Sequence, residues 1–361
     1  MVLPHLVRGG AERQMSYLVE ELSLRGHRIH VATLQKSDGW ELARRVGITH
    51  HCLRAKNNYD PRIILQLIKL IKRLRPDVIH TWILQMDILG GLAALVTGRP
   101  WIIREPSSDL PQRDNWKRKI RTLLAGRAAA IISNSAGGND YWRSIYPSKT
   151  LYLILNGLPT QKIAMVSSLS RQEIEVEEKS KIILYAGRLV AFKNIDLLFR
   201  ALSKLSPPIA YTVMICGEGE DKDVIQEEAR LLGIARWVRF SGYLPVQRIW
   251  SIMKSADLFV NLSDHEGLPN AVMEAIACHC PLLVSDIPAH REFLDEESAF
   301  LVDHNNPEAI SRTLLSILTN QEEAKKRAAK AAKKITGWSI SQMTENYERV
   351  YRKVISSRKS A

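Results

Sequence analysis

The chain has little cysteine and few aromatic residues for its length. Four cysteines occur in 361 residues, and aromatic residues make up 7% of the chain. So few cysteines, scattered over a chain of this size, do not form a disulfide framework. The segment Cys278-His279-Cys280 lacks a second ligand pair at zinc-site spacing. We therefore interpret it as a turn between a helix and a strand, and we predict no metal.

Long apolar runs are also missing. No run reaches the roughly 18 residues that a membrane-spanning helix needs. The first residues, Met-Val-Leu-Pro-His-Leu-Val-Arg, lack the charged and apolar regions of a signal peptide, so we expect a cytoplasmic protein. A composition of 45% hydrophobic and 25% charged residues indicates a folded chain, long enough for two domains with separate cores.

Acidic residues are scarce in the first half of the chain. Residues 1–165 hold 25 of the 51 Lys and Arg residues but only 12 of the 38 Asp and Glu residues. The remaining 26 of each sign cancel, so the whole net charge of +13 lies in the first half. Such asymmetry indicates that one domain faces a polyanion, either nucleic acid or an anionic membrane surface.

Apolar strand-like runs alternate with helical patterns, which is typical of parallel α/β sheets. The pattern predicts two Rossmann-like domains, at 1–165 and 181–339, and a tail from Glu322 to Ser357 that is helical by composition. A polar segment rich in Ser and Glu, 166–180, reads as the linker between them. The predicted strands are Val2–Val7, Arg28–Leu34, Val78–Trp82, Pro100–Arg104, Ala128–Ser133, Thr150–Leu155, Lys181–Tyr185, Tyr211–Cys216, Val238–Ser241, Leu258–Leu262, Pro281–Ser285 and Ala299–Val302. The predicted helices of the first domain are near 11–25, 60–75, 86–97, 113–126 and 137–145.

Charged residues follow the strands of the second domain at the ends where open α/β sheets bind ligands. Arg188 and Lys193 come after its first strand, where a guanidinium fork and a point charge suit a diphosphate. Glu266 and Glu274 flank a strand-to-helix turn, and carboxylates suit sugar hydroxyls. For each residue alone, the alternative is a solvated surface charge.

The ordered motifs resemble those of the retaining glycosyltransferases of family 4, which have the GT-B fold. The resemblance runs from the first strand to the last helix, and its most specific part is the E-x7-E segment from Glu266 to Glu274, followed by Pro281 and a strand. The chain departs from the family at Arg104-Glu105-Pro106, where many relatives carry a histidine, and at His279, where the family often has glycine. The remaining motifs are Gly9-Gly10-Ala11-Glu12-Arg13, Pro76-Asp77-Val78-Ile79-His80, Asn156-Gly157, Gly187-Arg188 with Lys193, Gly217-Glu218-Gly219 and Gly242-Tyr243.

The resemblance implies two Rossmann-like domains facing an interdomain cleft that binds a nucleotide sugar, which we expect to be a UDP-sugar. By position, Arg188 and Lys193 hold the diphosphate, Glu274 holds the ribose, and Glu266 contacts the transferred sugar. The base is expected near the ends of the second and third strands of this domain, and the phosphates near the backbone after Glu266. The resemblance also implies that the last helix, at about 340–361, packs back on the first domain. The other residues expected around the donor are Gly187, Gly217, Tyr243, Leu244, Leu268 and Asn270, with Gly10 from the first domain.

Breaking a glycosyl–phosphate bond leaves negative charge on the diphosphate, which fixed cations stabilise in the transition state. Arg188 and Lys193 can supply this without a metal, and no Asp-x-Asp lies next to a strand end, so we predict metal-independent transfer with no cofactor. We assign Glu266 to sugar positioning and charge stabilisation rather than to nucleophilic attack. His80 is a further catalytic candidate, and a histidine bonded within its own turn is the alternative. His279 must adopt a left-handed turn that glycine tolerates better.

The basic first half suggests how an acceptor is reached. The segment from Trp116 to Leu124 combines cations with an apolar stripe, as membrane-surface helices do, whereas for 62–75 we favour packing on the sheet. We therefore expect peripheral association with the inner membrane face and a lipid-linked or glycan acceptor in bacterial surface polysaccharide or lipopolysaccharide synthesis. A nucleotide-sugar epimerase with the same fold is the alternative. The sequence disfavours a nucleic-acid binder because it contains no recognition motif. It disfavours a phosphorylase because it contains no lysine in a pyridoxal-binding context.

Overall fold

The computed structural model describes residues 1–3, 9–34, 45–55, 60–105, 116–205 and 209–359. The chain divides into two compact units. Unit 1 comprises Met1–Gly157 with Trp338–Ala361, and unit 2 comprises Leu158–Gly337. The sequence predicts a domain boundary at 165 and a linker at 166–180. In the structure, residues 158–165 and 166–180 both belong to unit 2.

Unit 1 is a parallel sheet with helices on both faces. The order β1-β2 and the order β3-β4-β5-β6 are joined by Val2, which bridges Ala32 of β1 and Thr81 of β3. Residues 4–7 of the predicted strand Val2–Val7 lie outside the described residues, as do residues 113–115 of the predicted helix at 113–126. The elements are α1 Gly10–Leu24, β1 Ile29–Thr33, β2 Ile48–Cys52, α2 Arg62–Leu74, β3 Ile79–Trp82, α3 Leu84–Thr97, β4 Trp101–Glu105, α4 Trp116–Ala125, β5 Ala130–Ser133, α5 Ala136–Ile145 and β6 Leu151–Leu153.

Alternate residues of the central strands enter two cores, as the two-residue period of a strand requires. Ile102 and Ile132 pack in one core with α1 and the last helix, α14. Ile103 and Ile131 pack in the other with α2 and α3. Strand β2 was missed because its sequence, Ile-Thr-His-His-Cys, is polar and only its first residue is buried.

Unit 2 is a six-stranded parallel sheet in the order β12-β11-β10-β7-β8-β9. The core on one of its faces includes Ile183, Val213 and Val260 from three neighbouring strands, covered by α7, α8 and α12. The elements are α6 Thr160–Met165, β7 Lys181–Ala186, α7 Ile195–Ser203, β8 Tyr211–Cys216, α8 Lys222–Leu231, β9 Val238–Gly242, α9 Val246–Ser255, β10 Leu258–Asn261, α10 Asn270–Ala277, β11 Leu282–Ser285, α11 Pro288–Arg291, β12 Phe300–Val302, α12 Pro307–Thr319 and α13 Gln321–Lys334, followed by α14 Ile340–Lys359 in unit 1.

The cysteines behave as the sequence predicts. All four are free thiols, and Cys278 and His279 close the end of α10, where the N–H of His279 donates to Ile276 O at 2.9 Å. Within the described ranges, no helix combines the length and apolar character needed to cross a bilayer.

Candidate active site

The strand order of the sheet in unit 2 reverses beside β7, which pairs with β8 on one side and with β10 on the other. In open parallel sheets, ligands bind outside the carboxyl ends of the strands at such a switch point. Arg188 and Lys193 follow β7, and Glu266 follows β10. Three of the four predicted charged residues therefore lie at the edge where a ligand is expected.

The loops that follow β7, β8 and β9 are joined by backbone hydrogen bonds. The N–H of Gly187 donates to Cys216 O at 3.0 Å, and that of Gly217 donates to Gly242 O at 2.8 Å. Gly217 has a φ of +150°, and a Cβ there would lie 1.8 Å from Gly187 O. Only glycine fits this approach. Both predicted glycines therefore hold the loops of this edge together.

Glu266 is a fixed acceptor. Its Oε1 accepts hydrogen bonds from Asn261 Nδ2 at 3.1 Å and from Ser263 Oγ at 2.8 Å, and it forms an ion pair with Lys193. Burial raises the pKa of Glu266, but the charge and hydrogen bond of Lys193 outweigh it, so the pKa lies below its usual value. The carboxylate is ionised at neutral pH, and its orientation is set by three donors.

The two predicted cations differ in what they already bind. Lys193 is paired with Glu266, and its side chain is only 13% exposed. Arg188 is exposed, and its guanidinium carbon lies 6.0 Å from the centroid of the Phe192 ring. Among the described residues, Arg188 forms no ion pair. Arg188 is therefore the more accessible of the two cations.

Glu274 lies on α10, four residues after the helix begins at Asn270. The carboxylate is 3% exposed and accepts a hydrogen bond from Trp250 Nε1 at 3.0 Å. A buried carboxylate with a fixed donor does not fit the alternative of a solvated surface charge. Leu268, before the helix, is 6% exposed.

Two further predicted positions follow β9 at the same edge of the sheet. Tyr243 is 49% exposed, and Leu244 is half-buried. Gly10, in unit 1, begins α1 and is exposed. Its contact with a diphosphate stays a prediction.

His80 is not placed as a group that contacts substrate. It lies on β3, is 2% exposed, and its Nδ1 is 2.8 Å from the hydroxyl of Tyr351 on α14. Burial moves the pKa of His80 well below its usual value. The structure therefore does not support the predicted catalytic role, because the imidazole is part of the core between the sheet and α14 rather than part of a ligand edge.

The carboxyl end of β4, at Arg104 and Glu105, makes its contacts within unit 1. Arg104 donates to the Tyr347 hydroxyl at 3.0 Å and to Asn156, and it lies over the Trp82 ring. Glu105 forms a buried ion pair with Arg121 of α4.

Sequence reasoning missed the residues that support Glu266. Asn261 and Ser263 are both buried; Asn261 is the last residue of β10, and Ser263 comes two residues later. Polar residues at the carboxyl end of a buried strand, just before a predicted site residue, were the available signal.

Comparisons with known proteins agree with this geometry. The family "Glycosyl transferases group 1" matches residues 167–335, and "Glycosyltransferase Family 4" matches residues 8–162. The chain belongs to glycosyltransferase family 4. The two matches cover both units, so the enzyme is a transferase with the two domains typical of its family.

Relatives and solved structures are similar along nearly the whole length of this glycosyltransferase. The lipopolysaccharide core biosynthesis glycosyltransferase LpsE of Rhizobium meliloti is 25% identical, with 94% of each chain covered. A Campylobacter jejuni 4-alpha-N-acetylgalactosaminyltransferase, named for an N-acetylgalactosamine-N,N'-diacetylbacillosaminyl-diphospho-undecaprenol, is 25% identical over 90% of each chain. The structure of Anabaena HepE in complex with UDP and glucose has a TM-score of 0.85, 16% identity and 98% coverage of both chains. The fold is GT-B.

Proposed function

We propose that this glycosyltransferase moves a hexose or N-acetylhexosamine from a UDP-sugar to a lipid-linked or glycan acceptor, with retention of configuration, in bacterial surface polysaccharide or lipopolysaccharide synthesis. One observation carries the proposal. An exposed cation, Arg188, and a carboxylate held by three donors, Glu266, both lie at the switch point of the sheet. A sugar diphosphate presents these two groups with the ligands they prefer, phosphate oxygens and hydroxyls.

The charges suit departure of a nucleoside diphosphate. Arg188 stabilises the negative charge that develops on the diphosphate, and because the guanidinium is already in place, little reorganisation is needed. Lys193 adds positive charge while it holds Glu266. The proposed reaction therefore needs no metal ion at the phosphates.

Glu266 suits a positioning role better than a nucleophilic one. Three donors hold Oε1, and an ionised acceptor in this setting binds sugar hydroxyls and stabilises positive charge on the sugar ring. We assign the ribose hydroxyls to Glu274, the base to the region of Gly217, Tyr243 and Leu244, and the phosphates to the backbone from Leu268 to Asn270. The start of a helix presents backbone N–H groups to an anion, and α10 begins at Asn270, which favours that last assignment.

The names of the relatives support the choice of donor and acceptor. One relative is named for lipopolysaccharide core biosynthesis and another for a diphospho-undecaprenol substrate. The HepE structure holds UDP and glucose.

We further propose that α4 attaches the enzyme peripherally to the inner face of the membrane. Its residues Trp116, Ile120 and Leu123, at i, i+4 and i+7, are 63%, 37% and 75% exposed, so they form one apolar stripe on the outside. Arg121, by contrast, points inward and is 4% exposed. By helical periodicity, Lys117 and Lys119 lie on either side of the stripe, as expected for binding to anionic lipid.

Product analysis tests the proposed function. UDP-hexoses and UDP-N-acetylhexosamines are incubated with lipid-linked and glycan acceptors, with and without EDTA. We expect UDP release only with an acceptor present, a product that keeps the donor's anomeric configuration, and no loss of rate with EDTA. Conversion of the donor sugar without acceptor would identify an epimerase and contradict the proposal.

A further inference from the structure

His290 lies in the short helix α11, after β11, and is completely buried. Its Nδ1 is 2.7 Å from the backbone oxygen of Ser285. A carbonyl oxygen only accepts, so Nδ1 carries a proton. Burial lowers the pKa of His290, so the ring is neutral at pH 7 and Nε2 has no proton. Among the described residues, Nε2 has no hydrogen-bond partner.

The ring is joined to Glu266 by two serines. Ser285 ends β11, and its Oγ donates to Ser263 O, after β10, at 2.6 Å. The Oγ of Ser263 lies 2.7 Å from Asn261 Oδ1 and 2.8 Å from Glu266 Oε1. The single proton of this hydroxyl serves one acceptor at a time, and the ionised carboxylate is the stronger acceptor.

We infer that His290 is a positioning residue that fixes the orientation of Glu266 through Ser285 and Ser263. Each link is a hydrogen bond, and His290, Ser285 and Ser263 are completely buried, whereas Glu266 is half-buried. If Ser285 moved, its hydroxyl would no longer donate to Ser263 O. Ser263 could then shift, and its hydroxyl would no longer donate to Glu266. The inference rests on the proposed function only where sugar binding is the readout.

Packing alone does not account for a histidine at this position. A phenylalanine would fill a similar space without the cost of burying an unpaired ring nitrogen. The bond from Nδ1 to Ser285 is therefore the interaction that an imidazole provides here and an apolar ring does not.

Amide isosteres separate the two ring nitrogens. Asparagine places an N–H donor near the position of Nδ1, glutamine places one near Nε2, and phenylalanine keeps only the ring. We expect His290→Asn to retain the orientation of Glu266, and His290→Gln and His290→Phe to lose it. Ser263→Ala should lose the orientation of Glu266 as His290→Phe does. The double variant Ser263→Ala with His290→Phe should be no more impaired than the more impaired single variant, because both substitutions act on one chain of contacts.

Two readouts keep this test independent of folding and of the proposed function. The first is the affinity for the UDP-sugar that gives the largest thermal shift, with UDP as the matched ligand that lacks the sugar. We expect His290→Phe to weaken UDP-sugar binding about tenfold with UDP binding unchanged, and His290→Asn to stay within about threefold of wild type. The melting temperature of each variant shows whether it is folded.

The second readout is the titration of Glu266 by carbon-13 NMR, assigned with Glu266→Gln, which needs no ligand. Loss of the Ser263 hydrogen bond should raise the titration midpoint in His290→Phe and Ser263→Ala but not in His290→Asn. An unchanged midpoint in folded His290→Phe would overturn the inference. The inference would also be overturned if His290→Asn were as impaired as His290→Phe while His290→Gln were not impaired. Nε2, and not Nδ1, would then be the atom that positions Glu266. If wild type binds neither UDP nor a UDP-sugar, the proposed function fails, and the titration still decides this inference.

Discussion

At the residue scale, the two cations after β7 should respond differently to removal. Arg188→Ala takes away an exposed guanidinium without an ion-pair partner among the described residues, so we expect transfer to fall more than tenfold with the melting temperature unchanged. Lys193→Ala should lower transfer similarly but also cost about 1–3 kcal/mol of stability, because Glu266 loses its partner. Steady-state kinetics and denaturant unfolding measure the two effects. Lys204→Ala, at the other end of α7 in an exposed pair with Glu308, is the matched control.

The stability loss in Lys193→Ala should depend on pH with a definite sign. The pKa of Glu266 is lowered in the folded chain, so its interactions stabilise the fold above the unfolded-state pKa and are lost as pH falls through the folded-state pKa. The variant should therefore differ most from wild type at neutral pH and least in acid. Unchanged turnover in both alanine variants would contradict the placement of the site.

His279 is a second residue whose replacement has a predictable effect. It is exposed, with a φ of +56°, in the left-handed region that non-glycine residues adopt at a cost. We expect His279→Gly to raise the free energy of unfolding by about 0.5–1 kcal/mol, measured by urea denaturation. Asn194, at φ +53°, is the control. Its side chain donates to Leu262 O and Asp264, so Asn194→Gly should destabilise, and equal gains in both variants would contradict this explanation.

The sequence predicted the left-handed turn at His279 but not the supports of Glu266. The turn follows from the resemblance, because the family often has glycine at this position before Pro281, and a turn conformation depends only on neighbouring residues. The contacts of Glu266 join Lys193, Asn261 and Ser263 from the ends of two strands, and His290 follows a third. Their convergence depends on the strand order of the sheet, which local pattern does not specify.

At the element scale, α2 and α4 have similar patterns and opposite placements. Ile63, Leu67 and Ile71 of α2 are buried, so packing on the sheet, which the sequence favoured for this helix, is confirmed. In α4 the apolar stripe is exposed instead. The difference arises because Arg121 finds Asp87 at 2.8 Å and Glu105, two partners from other elements that the helix sequence does not contain.

The exposed stripe of α4 gives a membrane-binding prediction. We expect Trp116→Ser with Leu123→Ser to reduce flotation with anionic vesicles several-fold, because about 0.8 kcal/mol is lost for each buried CH₂ group. Replacing the cations at 117–119 with glutamine should remove the preference for anionic over neutral lipid, at about 1 kcal/mol per charge. Leu231→Ser is the control, since Leu231 is 67% exposed but lies in the second half of the chain, whose net charge is zero. Equal recovery with neutral and anionic vesicles at low salt would contradict the electrostatic part.

At the scale of the whole molecule, the chain order and the two units do not coincide. Unit 2 is continuous from Leu158 to Gly337, whereas unit 1 needs residues from both ends of the chain. The sequence favoured a linker at 166–180 from its Ser and Glu content. That content obscured two apolar anchors, Ile174 and Val176, which are 5% and 7% exposed, and an ion pair of Arg171 with Asp257 at 2.7 Å.

This arrangement predicts that the two units differ in their ability to fold alone. A fragment of residues 158–337 keeps its whole sheet, so it should unfold cooperatively and, under the proposed function, bind UDP. A fragment of residues 1–157 lacks α14 and should not fold. The lost helix supplies five buried core side chains, Met343, Tyr347, Val350, Tyr351 and Val354. Losing large core side chains costs about 2–5 kcal/mol each, so the five together cost about 10–25 kcal/mol, which is as large as or larger than the roughly 5–15 kcal/mol that stabilises a domain.

Reconnecting the last helix should restore unit 1. Gly157 lies against Ile340, since a Cβ on Gly157 would be 2.7 Å from Ile340 Cα, so a short Gly-Ser linker can join residues 1–157 to 338–361 at a small entropic cost. We expect this fusion to unfold cooperatively, as followed by circular dichroism, and the same fusion with Tyr347→Ala and Tyr351→Ala to unfold at a lower temperature. A cooperative transition in residues 1–157 alone, at the temperature of the fusion, would show that α14 is an accessory to the sheet. If the fusion restores folding, the last helix is part of the core around β3 and β4, and this accounts for the contact of His80 with Tyr351 rather than with a ligand.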